Sequence, residues 1–153
     1  MVRLGMICSL AAVFFLGAAW AEELPLKEVF GEAASFVPVK KDQEIVYYEA
    51  RDRSGKAIGA VFKAQGKSYH SDIITLAGMK NDGSITAIKV LAQDETPGVG
   101  SSITEGDFTG RFRNVKDLSG VQAITGATVS SRAVIDSVKE RAEEIRKLIG
   151  GAP

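Results

Sequence analysis

Between residues 45 and 92 the apolar positions fall in short runs separated by turn residues. Ile45-Val46-Tyr47-Tyr48 is rich in β-branched and aromatic side chains and predicts a strand. Arg53-Ser54-Gly55-Lys56 predicts a turn, and residues 57–64 the returning strand, with Ile58, Ala60 and Phe62 on one face. Gln65-Gly66-Lys67 predicts another turn. Residues 72–77 and 85–92 read as two further strands joined across Asn81-Asp82-Gly83, a strong hairpin signal. Connections this short favour antiparallel neighbours, because parallel ones need long crossovers.

The flanks follow a different period. Ahead of the strands, Leu26, Val29, Phe30 and Ala33 have helical spacing across residues 24–36, and Pro38 is expected to end that helix. Behind them, residues 93–106 form a loop rich in Gly, Ser and Thr, and Phe108, Phe112 and Val115 mark a short helix. From Ser130 onward Val134, Val138, Ala142, Ile145 and Ile149 fall on one helical face, with Lys139, Glu140, Glu143, Glu144, Arg146 and Lys147 on the other. Lys139–Glu143 and Glu143–Lys147 are spaced for i,i+4 pairs, and Gly150-Gly151 provides the stop. Strands first and a long helix last indicate an α+β fold: a small antiparallel sheet with a long C-terminal helix packed on it.

The N-terminal segment changes the organisation. Met-Val-Arg precedes an uncharged stretch from Leu4 to Ala19, and Ala19-Trp20-Ala21 stands before Glu22-Glu23. A basic start, an apolar run and an A-x-A ending predict a signal peptide over residues 1–21, leaving a single domain over 22–153. The same run is close to the length of a membrane anchor, so retention, with membrane contact through residues 4–21, is the alternative. Either outcome is expected to put the domain outside the cytoplasm, in the periplasm, secreted, or anchored on the outer face of the cytoplasmic membrane. Ile7 ahead of Cys8 does not fit a lipobox, and Cys8 reads as an ordinary residue of the apolar run.

Composition narrows the chemistry. Lys+Arg and Asp+Glu both number 19 in 153 residues, which argues against a nucleic-acid-binding domain. With one Cys and one His, a thiolate zinc site, a Cys-ligated iron–sulfur cluster and a disulfide framework are excluded. No CxxCH haem attachment, catalytic triad or NAD(P) fingerprint is present. No metal site is expected.

The stretch Val121-Gln122-Ala123-Ile124-Thr125-Gly126-Ala127-Thr128-Val129-Ser130-Ser131, running into the last helix, has the makings of an anion site. Gly126 and Ala127 let backbone and ligand approach closely. The helix's first turn offers unpaired N–H groups and the positive end of its dipole. Thr125, Thr128, Ser130 and Ser131 supply hydroxyls that either donate to phosphate oxygens or simply cap the helix. Local chemistry does not choose between these two roles.

Two blocks together do more. Thr125-Gly126-Ala127-Thr128 with its following hydroxyl residues, and Glu95-Thr96-Pro97-Gly98-Val99-Gly100 upstream, resemble the FMN-binding domain of the G subunit of Rnf-type electron-transport complexes and of the C subunit of sodium-pumping NADH:quinone oxidoreductase. A weaker third block is Tyr69-His70-Ser71-Asp72-Ile73. The resemblance runs over roughly residues 45–150. It implies FMN held by a phosphoester to Thr128, installed by an extracytoplasmic flavin transferase, with Val129, Ser130 and Ser131 continuing the site. It also implies that the loop from Glu95 to Gly100, with Glu95, Thr96, Pro97 and Gly98 as its site residues, lies against the isoalloxazine ring, Pro97 restricting the loop and Gly98 allowing close contact. The alternative for that loop is a surface turn. Gln122 stands where the transferase pattern often carries Asp, and Val99 where Leu is usual.

His70 is expected either to donate to the flavin phosphate and assist proton movement or to be an exposed loop residue. Tyr69 is a candidate to flank the ring, while Tyr47 and Tyr48 are expected in the sheet. The implied function is an extracytoplasmic redox carrier or complex component, with donor and acceptor on other proteins, membrane-bound or secreted. Non-covalent FMN, as a binding or reductase module, and a cofactor-free binding domain are the rivals.

Overall fold

The computed structural model describes residues 23–150, so the leader expectation for residues 1–21 and the Gly151 part of the helix stop lie outside the described residues. Five strands form one sheet in the order β1-β2-β3-β4-β5, every neighbouring pair antiparallel. They are β1 Ser35–Lys41, β2 Glu44–Arg51, β3 Ala57–Lys67, β4 Asp72–Lys80 and β5 Ile85–Ala92. The hairpin at Asn81-Asp82-Gly83 closes as its sequence predicts, with Gly83 at φ 89° and its N–H donating to the Lys80 carbonyl at 2.9 Å.

Two expectations are corrected here. The helical spacing of residues 24–36 yields only one turn, α1 (Leu26–Val29), and the chain then enters β1 with Pro38 inside it. Proline is tolerated there because β1 is an edge strand and needs N–H donors on one side only. The turn expected at residues 65–67 is instead the end of β3, which continues to Lys67 paired with Asp72. Tertiary pairing extends the strand past Gly66, whose lack of a side chain has another use described below.

The sheet is covered on both faces. On one face Ala60, Phe62, Ala64, Ile73, Ala77 and Met79 meet Val134, Ile135, Val138 and Ile145 of α3 (Thr128–Gly150). On the other, Val61, Leu76 and Ala50 pack against Val29 and Phe30 of the α1 segment. Alternation along β3 and β4 sorts these residues, as period-2 geometry requires. Ile58 is the exception. The register shift opposite Ala50/Arg51 leaves it out of the pairing, and it joins the Phe30 face instead of following Ala60 and Phe62.

After β5 the chain makes a short helical turn at Gly100–Thr104, then α2 (Gly106–Thr109), whose Phe108 packs edge-on against Phe112 with centroids 5.4 Å apart. Both rings are fully buried in the core shared with α3, each worth about 1.5–3 kcal/mol of burial. The polar face of α3 finds partners other than those its spacing predicts. Lys139 Nζ donates to Ser119 Oγ at 3.0 Å, and Arg141 pairs with Glu144 at 2.6 Å. Neither Lys139–Glu143 nor Glu143–Lys147 closes among the described residues.

Candidate functional site: a cavity at the head of the last helix

Two β-turns of the same kind shape the site. In Thr96-Pro97-Gly98-Val99 the Val99 N–H donates to the Thr96 carbonyl at 3.1 Å, and Gly98 has φ 76°. In Ile124-Thr125-Gly126-Ala127 the Ala127 N–H donates to the Ile124 carbonyl at 3.0 Å, and Gly126 has φ 84°. A third turn position with positive φ is the type II pattern that favours glycine, and Pro97 preorganises the position before it. The first turn reverses the loop after β5; the second aims the chain into α3.

Ser131 locks the second turn. Its Oγ donates to the Ala127 carbonyl at 2.7 Å and accepts from the Ile124 N–H at 3.0 Å. The helix therefore begins at Thr128, two residues before the amphipathic pattern alone places it. The N–H groups of Thr128, Val129 and Ser130 find no acceptor among the described residues, as the first turn of a helix leaves them. Thr128 itself is exposed.

Between the turns lies a cavity of about 280 Å³. Nine of the expected residues line it: Tyr69 and His70 from the β3–β4 turn, Glu95 and Thr96 from the loop, and Gly126, Ala127, Thr128, Val129 and Ser130 at the helix head. Thr125, Pro97, Gly98 and Ser131 do not line it. Pro97 and Gly98 are exposed in the first turn, Thr125 is exposed in the second, and Ser131 is buried in the lock just described. Tyr69 and His70 are exposed at the cavity's edge, and Tyr47 and Tyr48 pack in the sheet as expected.

Under the cavity the Glu95 carboxylate is buried, its Oε2 accepting from Ser130 Oγ at 2.6 Å. Gly100 makes this approach possible. A Cβ there would stand 2.7 Å from Glu95 Cβ, 2.8 Å from Glu95 Oε2 and 2.9 Å from Ser130 Oγ. Glu95 N–H is held by Gln93 Oε1 at 2.7 Å, and Asp94 N–H by Ser71 Oγ at 3.2 Å, which ties the loop to the β3–β4 turn.

Val99 and Gly100, the end of the loop expected at the ring, line the cavity as well. Sequence reasoning missed one contributor. Arg111 lies outside the cavity and clamps the segment that leads into the Ile124–Ala127 turn: Nη1 donates to the Gln122 carbonyl at 2.7 Å, and the guanidinium sits 5.9 Å from the Phe108 ring centroid. No local signal marks an arginine in a short polar segment as the clamp for a chain eleven residues away. Among the described residues no group of His, Cys, Asp and Glu is placed to hold a metal.

Free N–H groups, an exposed threonine hydroxyl and the open Gly126 turn at one helix head define a domain able to receive a phosphate-bearing cofactor. The chain belongs to the FMN-binding domain family, whose model matches residues 68–143. It is 35% identical over 129 residues to the G subunit of the ion-translocating oxidoreductase complex of Methanosarcina acetivorans, covering 74% of this chain and 69% of that one. It is 34% identical over 113 residues to the G subunit of the proton-translocating ferredoxin:NAD(+) oxidoreductase complex of Clostridium ljungdahlii, covering 67% and 61%. The chain thus spans about two thirds of the length of these relatives. Its fold matches that of Shewanella oneidensis NqrC with a TM-score of 0.53 and 20% identity, over 76% of this chain and 72% of the other. It also matches the C subunit of the Na(+)-translocating NADH-quinone reductase of Parabacteroides distasonis, at TM-score 0.54 and 18% identity over 65% and 60%.

Proposed function

We propose that this chain is an extracytoplasmic electron-transfer flavoprotein whose FMN phosphate is esterified to Thr128 Oγ1 by a flavin transferase. One observation carries the reading: three segments far apart in sequence converge on a single cavity at whose edge Thr128 is exposed. The residues fit the group. A phosphodiester at Thr128 would lie at the open N–H groups of the α3 head, where the helix dipole favours a negative charge. Tyr69, Val99 and Val129 are exposed apolar groups lining the same cavity and offer a surface for a flat aromatic ring.

Each segment has a task in this scheme. The Ile124–Ala127 turn and Ser131 present the hydroxyl; the Thr96–Val99 turn walls the ring; Tyr69 and His70 border it on the open side. Bound there, FMN supplies one- and two-electron chemistry, while the protein fixes its position and potential. The relatives are named as subunits of ion- and proton-translocating oxidoreductase complexes, which supports redox partners for this chain, a donor and an acceptor on other proteins. No helix of the described residues is long and apolar enough to cross a membrane. The apolar segment at residues 4–21 supports placement outside the cytoplasm, with membrane contact if it is retained.

Intact-mass spectrometry of the full chain, co-expressed with a flavin transferase, tests the reading. The wild type is expected to gain the mass of an FMN ester, and Thr128→Ala to lose it while keeping its circular dichroism spectrum. Flavin that co-purifies but separates on denaturation would assign the site to non-covalent FMN. A flavin mass retained in Thr128→Ala would place the ester elsewhere, and a colourless wild type of bare polypeptide mass would leave a cofactor-free domain.

A further inference from the structure

One residue lining the cavity carries a polar atom that the packing does not explain. Glu95 is 8% exposed, and while its Oε2 is held by Ser130, its Oε1 is buried with no hydrogen-bond partner. A desolvated, unpaired carboxylate oxygen is costly, and native structures rarely keep one without a use. Ser130 does not require it, since a neutral amide oxygen would accept the same hydrogen bond. No Lys or Arg lines this cavity. Lys67 and Arg132 line a separate cavity on the other flank of Thr128, together with Asp136 and Glu140. The charge of Glu95 therefore has no cation of the cavity wall to answer it.

We propose that Glu95 is a positioning residue whose fixed charge sets the reduction potential of a flavin held in this cavity. The inference rests on the FMN reading above. Electrons delivered by a donor protein add negative charge to the ring. A fixed carboxylate beside it, screened less than in bulk water, opposes that change and lowers the midpoint potential. Gly100 and Ser130 are the devices that hold the carboxylate in place: the first removes the side chain that would displace it, and the second orients its other oxygen.

The test is a spectroelectrochemical titration of the flavin-loaded full chain. Glu95→Gln retains an acceptor for Ser130 and removes the charge, so its midpoint potential is expected to rise above the wild type. Glu95→Met is a second neutral variant, and Glu95→Asp, which restores the charge, is expected to return the potential toward the wild-type value. A wild-type potential in whichever neutral variant folds and loads overturns the proposal. So does failure of both neutral variants to fold while Glu95→Asp folds, because the carboxylate would then serve stability alone. A wild-type chain that never acquires flavin removes this inference together with the functional reading. A loaded chain with a charge-insensitive potential removes this inference only.

Discussion

Gly66 of β3 lies directly against the Ala133 carbonyl of α3, so close that a Cβ at residue 66 would overlap that group, standing 2.7 Å from its carbon. The contact seats the first turns of the helix on the sheet, and with them the head that carries Thr128. Gly66→Ala must push backbone against backbone, with no flexible side chain to yield. The expected cost is at the upper end of overpacking, about 3 kcal/mol, read as a lowered urea midpoint at unchanged slope. A midpoint within error of the wild type would mean that the helix tolerates a shift along the sheet.

Arg111 clamps the segment that leads into the site. Arg111→Ala removes its hydrogen bond to the Gln122 carbonyl and its seat over Phe108. The expected loss is about 1–2 kcal/mol of stability, from one charge-assisted hydrogen bond and a weak cation–π contact near solvent. Flavin incorporation is expected to slow as well, since the segment entering the Ile124–Ala127 turn loses its clamp. Chemical denaturation and a time course of incorporation by intact mass measure the two effects separately.

Gln122 is exposed and its described hydrogen bond uses the backbone carbonyl, leaving the side chain free to be read by another protein. Gln122→Asp is expected to leave stability unchanged and to raise the rate of flavin incorporation severalfold. A flat response would show that the transferase does not consult this position here.

Acid destabilisation should centre on three turns. The Ser54 hydroxyl and then the Lys56 and Ser54 N–H groups hold the Asp52 carboxyl below its usual range; the Ser84 hydroxyl and N–H do the same for Asp82, and the Ser119 N–H leads for Asp117. Each folded value lies below the unfolded one, so the stabilisation is present above the unfolded value of 3.8 and is lost as pH falls through the depressed folded values. Melting temperatures should therefore drop below about pH 4. The triple variant Asp52→Asn, Asp82→Asn, Asp117→Asn should show a shallower acid limb, and an unchanged limb would assign it to other carboxylates.

The strands at residues 45–92, the last helix and the turns before it were legible because their determinants are local. Alternation, the Asn81-Asp82-Gly83 turn, a 3.6-residue stripe and two glycine-bearing turns each carry their own geometry. Only the tertiary structure decided that Pro38 belongs to a strand, that β3 runs on through Gly66 and that Ile58 changes face, since those outcomes depend on which neighbour each backbone pairs with. It alone also brought Glu95 under Ser130 across 35 residues of sequence and set Arg111 against Gln122. Residue types fix what a side chain can do, but which groups meet is settled by the long-range burial that packs loop, sheet and helix into one core.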